Sequence, residues 1–242
     1  MRNLILILAE VIICYIAIIL LNKKYKTDGL YVYAIIATFI SCIMSLKQIT
    51  LIDRIDIPIG FGVTTSLIIA GNIITQKRGP QEIATYIVLI LVTALVSCCF
   101  LNMSGIMEAS DYNKFANKSY DSIFEYNLRI YIATIISIIT STWLSSKLYY
   151  ELKKLNNKIL ISNVFSIVIA ELADNLLFVL IAYLFDPGKT DVVFDIIFCI
   201  IFRYIIKTII GLFGTIPIYI TNKFNWLGVW KYENPKKRIS KW

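Results

Sequence analysis

Histidine is missing altogether from the 242 residues, and charged residues make up only 17% of them. The first absence removes the commonest metal ligand and the usual proton shuttle near neutral pH. No stretch of the form GxxxxGK[ST] occurs, so the chain cannot hydrolyse ATP through a phosphate-binding loop of its own. Five cysteines, Cys14, Cys42, Cys98, Cys99 and Cys199, all sit within apolar runs and are odd in number. They read as small core residues, with no case for a disulfide framework or a metal site. No cofactor is expected, and the sequence points away from an enzyme. Intramembrane catalysis needs a nucleophile–base constellation or metal ligands, of which only a Ser–Lys or paired-Asp arrangement stays open here.

Apolar residues are abundant, at 58% of the chain, and the mean hydropathy is +0.72. Only helices and closed barrels satisfy their backbone in lipid, and the long unbroken apolar runs do not alternate as barrel strands do. The expected fold is all-α, a polytopic membrane helical bundle forming one integral membrane domain over residues 1–242. The net charge of +8 does not point to nucleic acid, because Lys and Arg cluster in short segments flanking the apolar runs, a topological distribution.

The run Asn3–Leu21 has an overlong apolar core for a signal peptide and no small-x-small cleavage site, so a retained extra helix is expected over residues 1–22. Glu10 within it is isolated and is expected near the interface or facing a neighbouring helix. Further spans are expected at about Leu30–Leu46, Ile57–Thr75, Ile83–Asn102 and Leu128–Tyr149. The third of the seven spans is the least hydrophobic; Gly60, Gly62, Thr64, Thr65, Ser66, Gly71 and Asn72 permit close approach and hydrogen bonding inside a bundle. Residues 104–127 form the longest polar stretch and read as an interfacial loop.

Two final apolar runs carry charges near their middles. Glu171 and Asp174 lie three residues apart in one, Arg203 and Lys207 four apart in the other, and both spacings put each pair on one helical face. If the DPGKTD link makes the runs antiparallel, the rise of about 1.5 Å per residue sets the acidic residues about 16 and 21 Å below it and the basic ones about 20 and 25 Å below it. Charges at such depth face a bundle interior and mark a substrate or ion site, or they neutralise one another as a lock between helices. The last run is long enough to tilt or to kink near Gly211, Gly214 and Pro217.

Segments 22–29, 76–82, 147–159 and 222–242 hold fifteen of the 24 Lys and Arg residues. The positive-inside rule therefore predicts seven spans in the cell membrane, with the N-terminus outside and a basic cytoplasmic tail at 225–242.

Four blocks resemble the VUT (vitamin uptake transporter) or queuosine-precursor transporter family, and the resemblance covers residues 30–224 as a transporter core. They are NIITQKRG ending at Gly79; NLRIYIATIISIITSTWLSSKLY, opened by Arg129; SIVIAELADNLLFVLIAY, containing Asp174; and RYIIKTIIGLFGTIPIY, containing Tyr204 and Lys207. Family members carry Asp and Glu where this chain has Asn72 and Gln76, and Gln and Asp where it has Thr142 and Ser145. Glu171 and Arg203 are added charges.

The resemblance implies a six-span core plus one extra N-terminal helix, and import of a 7-deazaguanine compound such as queuine, preQ0 or preQ1 by alternating access. The residues expected at the substrate are Asp174, Glu171, Lys207, Arg203, Tyr204, Asn72, Gln76 and Arg129. A carboxylate would accept from the ligand's adjacent N–H groups, Lys207 would meet its carbonyl, and Tyr204, Tyr183 or Tyr219 would stack. The alternative is a substrate-binding component of an energy-coupling-factor importer for a small vitamin-like molecule, with ATPase subunits as partners. A membrane scaffold is the remote reading.

Overall fold

The structure, a computed structural model, describes residues 2–50, 56–107, 128–184 and 193–223. The DPGKTD link, the 225–242 tail and most of the 104–127 stretch lie outside these residues.

The first helix, α1 (Arg2–Met44), is two arms joined at Lys26, whose backbone turns to φ 56°, ψ −141°. This is the left-handed region that a non-glycine residue seldom enters. The reversal falls in the polar run NKKYKTDG and folds the arms back on each other. Cys14 and Tyr33 are neighbours, although a straight helix would hold them about 28 Å apart. The second arm starts so close to the first that a Cβ on Gly29 would strike the Leu21 carbonyl.

A short antiparallel hairpin follows, β1 (Gln48–Thr50) with β2 (Asp56–Pro58), in register Gln48 to Pro58 and Thr50 to Asp56. The sequence reading placed helix from Ile57; the structure starts α2 (Phe61–Arg78) four residues later. Pro58 ends a strand there, and Gly60 (φ 97°) supplies the left-handed turn into the helix. Gly79 (φ 94°) closes α2 with its N–H on the Thr75 carbonyl at 3.0 Å.

Next come α3 (Glu82–Ile106), α4 (Leu128–Asn156) and α5 (Ile159–Val179). Asn157 (φ 50°) makes the tight turn between α4 and α5, a conformation that Asn tolerates well. The last turn of α5 widens into a π-helical segment, Leu180–Leu184. The final run kinks as expected: α6 (Val193–Phe213) and α7 (Thr215–Lys223) break at Gly214. Side chains at Gly211 and Gly214 would run into Ile167 and Ile69, so both glycines let the last helices approach α5 and α2 closely.

Among the described residues, four helices are long and apolar enough to cross a membrane: Asn3–Met44, Glu82–Ser104, Ile159–Ala182 and Ile200–Lys223. The chain is a bundle of membrane-type helices. One of the less apolar helices, α2, lies at its centre with fourteen of its eighteen residues buried, wrapped by α1, α3, α4, α5, α6 and α7. Large apolar side chains such as Ile5, Ile13, Phe100, Phe165 and Phe213 point outward. A helix enclosed by protein can carry Thr, Ser and Asn that would be costly against lipid. Cys14 and Cys42 are buried as expected of core residues, whereas Cys99 is exposed.

Glu10 faces a neighbouring helix, as the isolated carboxylate suggested. Its Oε1 accepts from the Val63 backbone N–H at 3.0 Å, and the Gly62 N–H bonds to the same carboxylate. It thus caps the N-terminus of α2 from another element, satisfying donors that Gly60 has no side chain to meet. Replacing Glu10 with Ala should cost about 1 kcal/mol, a fall of about 2–4 °C in melting temperature for a chain of this size. Thermal unfolding of the purified protein checks this, with membrane insertion unchanged.

Candidate functional site

Helices α2, α5 and α6 converge near the middle of the bundle, each presenting one face at helical spacing. From α2 come Phe61 and Thr65; from α5, Glu171, Asp174, Asn175 and Phe178; from α6, Arg203 and Lys207. All eight are buried. The antiparallel pairing of α5 and α6 places the two bases at the depth of the two acids.

Lys207 is the hub. Its ammonium donates to Asp174 Oδ2 in a short hydrogen bond and lies 3.6 Å from Glu171 Oε2. The other Glu171 oxygen accepts from the Thr65 hydroxyl at 2.6 Å, which ties the ion cluster to α2. A cation shared by two buried carboxylates, each further hydrogen-bonded or cavity-facing, meets the condition under which buried charges persist.

Arg203 is placed differently. Its Nε donates to Asn175 Oδ1 at 3.0 Å, and its guanidinium lies 4.1 Å from the Phe178 ring centroid and 5.6 Å from that of Phe61. These are cation–π contacts.

A small cleft, partly open to the exterior, is lined by Asp174, Arg203, Lys207, Phe61 and Phe178, with Thr64, Thr134 and Ser137 on its wall. Ser45, Ile59 and Gly60 also line it, so it lies toward the β-hairpin end of the bundle.

The expected site residues divide into groups. Glu171, Asp174, Arg203 and Lys207 come together. Asn72 and Gln76 belong to two other buried clusters nearer the opposite end. Asn72 donates to Asn163 Oδ1 at 3.2 Å and accepts from the Ser145 hydroxyl at 3.2 Å, and Asn163 donates to the Thr215 hydroxyl at 2.9 Å. Gln76 accepts from the Tyr149 hydroxyl at 2.5 Å. The reason is register: Asn72 is seven residues beyond Thr65 on the same face of α2, about 10 Å along its axis. Tyr204 is half-buried on α6 and Arg129 half-buried at the start of α4; neither lines the cavity. Tyr219 is 50% exposed and cannot stack within the bundle, and the Tyr183 side chain lies outside the described residues.

Sequence reasoning passed over Asn175 and Phe178, although they share the face that carries Glu171 and Asp174, one and two turns along. Phe61 carried no signal, because only the turn at Gly60 brings it to the cluster. Among the described residues no group of His, Cys, Asp and Glu is arranged to hold a metal ion.

Replacing Lys207 with Met would leave two buried carboxylates without their cation, a loss of about 3–5 kcal/mol. We expect the folded, monodisperse fraction after detergent extraction to collapse. Adding Asp174→Asn and Glu171→Gln to the same chain should restore much of it.

Residues 58–221 match the family described as "Putative vitamin uptake transporter". The match leaves out α1 entirely, and so also the part of the sequence resemblance between residues 30 and 57. No curated protein and no solved structure matches the chain. The matched region contains every residue of the charged cluster and spans well over half the sequence, and the chain belongs to the vitamin uptake transporter family.

Proposed function

We propose that this protein imports a queuosine precursor, a 7-deazaguanine compound, across the cell membrane by alternating access around the Asp174–Lys207 cluster. The observation that carries the reading is a set of two buried acids and two buried bases, lining or adjoining one cavity in the interior of a transporter-family bundle. Charges in such a place are costly and are retained where they act on a substrate.

The proposed topology is seven spans with the N-terminus outside. Its support is that the basic segments gather at one end. Lys77 donates to Asn22 Oδ1 at 2.6 Å and to the Thr221 carbonyl at 3.4 Å, and Arg78 pairs with Asp28 at 2.5 Å. Lys153 lies 5.9 Å from the Tyr149 ring, which is bonded to Gln76. In the cytoplasmic orientation these bonds tie the inner end shut while the cavity lies toward the outer one. Cysteines introduced at Lys154 and Lys223 should label from one side of a sealed vesicle, and one introduced at Lys47 from the other.

Uptake of radiolabelled queuine or preQ1 into liposomes carrying this chain alone tests the function. A requirement for added ATPase subunits would favour the energy-coupling-factor mode of the same import. Asp174→Asn should abolish uptake while leaving inserted protein, because the amide replaces an acceptor-only group with one that also donates. Exchanging the charges, Asp174→Lys with Lys207→Asp, should restore abundance at most in part, since it sets a new carboxylate beside Glu171. Recovery of uptake by that exchange would refute a ligand role for the pair.

A further inference from the structure

Two groups facing the cavity have hydrogen-bonding capacity that the protein leaves unused. Lys207 is engaged by Asp174 and Glu171, whereas Arg203 has no carboxylate within salt-bridge reach among the described residues. It is 2% exposed, yet its Nη1 has no acceptor, and the Nδ2 of Asn175, whose oxygen holds Arg203 in place, has none either. Asp174 engages Lys207 through Oδ2 alone, and no described residue donates to its second oxygen. Both Arg203 and Asp174 line the same cavity.

A buried donor without an acceptor is expensive, and a guanidinium held on two aromatic rings and one amide is fixed in orientation before any ligand arrives. We infer that Arg203 and Asp174 together read the edge of a cyclic amide: Arg203 Nη1 donates to the ring carbonyl, and the free oxygen of Asp174 accepts the neighbouring ring N–H. A simple carboxylate would satisfy Arg203 but set its charge against Asp174, so the pair selects a neutral ring with adjacent C=O and N–H groups. Lys207 then holds Asp174 in place and does not meet the ligand carbonyl. The assignment rests on the transport reading above and names what its substrate must carry.

The test uses the full chain in lipid nanodiscs and compares ligands within one protein. Probes are 7-deazaguanine; N1-methyl-7-deazaguanine, which lacks the ring N–H alone; 2-amino-7-deazapurine, which lacks both the carbonyl and the ring N–H; hypoxanthine and uracil, which carry the same edge on other rings; and benzoate. Loss of the N–H should weaken binding at least about tenfold, and loss of the carbonyl with it should weaken binding further, because each leaves a buried polar group unpaired. Arg203→Met should erase the preference for the carbonyl while keeping that for the N–H.

Equal affinity for 7-deazaguanine and its carbonyl-free analogue overturns the inference and leaves import of 7-deazaguanine compounds standing. Binding of hypoxanthine or uracil with the same Arg203-dependent preference, without 7-deazaguanine, upholds it and removes the queuosine precursor as substrate. Arg203-dependent binding of benzoate alone overturns both, as does the absence of binding by every probe. A second readout needs no ligand. Removing a buried cation that has no carboxylate partner should leave the melting temperature of Arg203→Met unchanged or raised, whereas a drop of several degrees would make Arg203 a structural residue and overturn the assignment.

Discussion

The ammonium of Lys207, held between Asp174 and Glu171, is the contact on which the rest of the bundle depends. None of the three residues is more than 2% exposed, and none could stay charged in that position alone. Their mutual neutralisation requires α5 and α6 to be antiparallel neighbours in a particular register. The Thr65 hydroxyl on Glu171 adds α2 as a third partner. Once three helices share a charged centre, the chain has little freedom in how the remaining ones are arranged around it.

Polarity then sorts the helices. In water the most polar elements go outside; here α2, rich in Thr, Ser, Gly and Asn, is the most enclosed, and the isoleucine-rich arms of α1 face outward. With lipid as apolar as any core, association draws on close packing and hydrogen bonds. The structure supplies both: Gly211 and Gly214 bring the last helices against Ile167 and Ile69, and the Asn72–Ser145–Asn163–Thr215 cluster links α2, α4, α5 and α7. Asn72, Ser145, Asn163 and Thr215, above the charged centre, thus have a cohesive role and hydrogen-bond one another, whereas the neighbouring Thr75, Thr142 and Ser146 hydroxyls have no partner among the described residues.

The first arm of α1 lies outside the region matching the family, yet it is bonded into the bundle at three depths. Glu10 caps α2 beside the cavity, the Tyr15 hydroxyl donates to the Ile210 carbonyl at 2.6 Å, and Asn22 accepts from Lys77 at the basic end. Those partners are the helices that carry Thr65, Arg203 and Lys207. A helical arm anchored in this way sets the position of α2 against α6, and any motion that opens the cavity must carry it along.

Much of the fold was legible in the residues themselves. Run length and hydropathy determined a helical membrane bundle, the 3.6-residue period put Glu171 with Asp174 and Arg203 with Lys207 on single faces, and the rise per residue matched their depths. The kink at Gly214 was readable too, since glycine and proline act locally. What the tertiary structure decided was which face meets which. Periodicity defines a stripe along one helix but not the rotation of its neighbour, so that Lys207 takes both acids while Arg203, one turn away, rests on Asn175 and two phenylalanines could be learned only from the packed helices. The same holds for Asn72 and Gln76, drawn to Ser145, Asn163 and Tyr149 by their height in the bundle, and for Glu10, whose partners are backbone N–H groups some fifty residues away that lack an intrahelical acceptor because Gly60 starts a helix there. Contacts between elements depend on rotation, tilt and register together, and a single sequence records none of these directly.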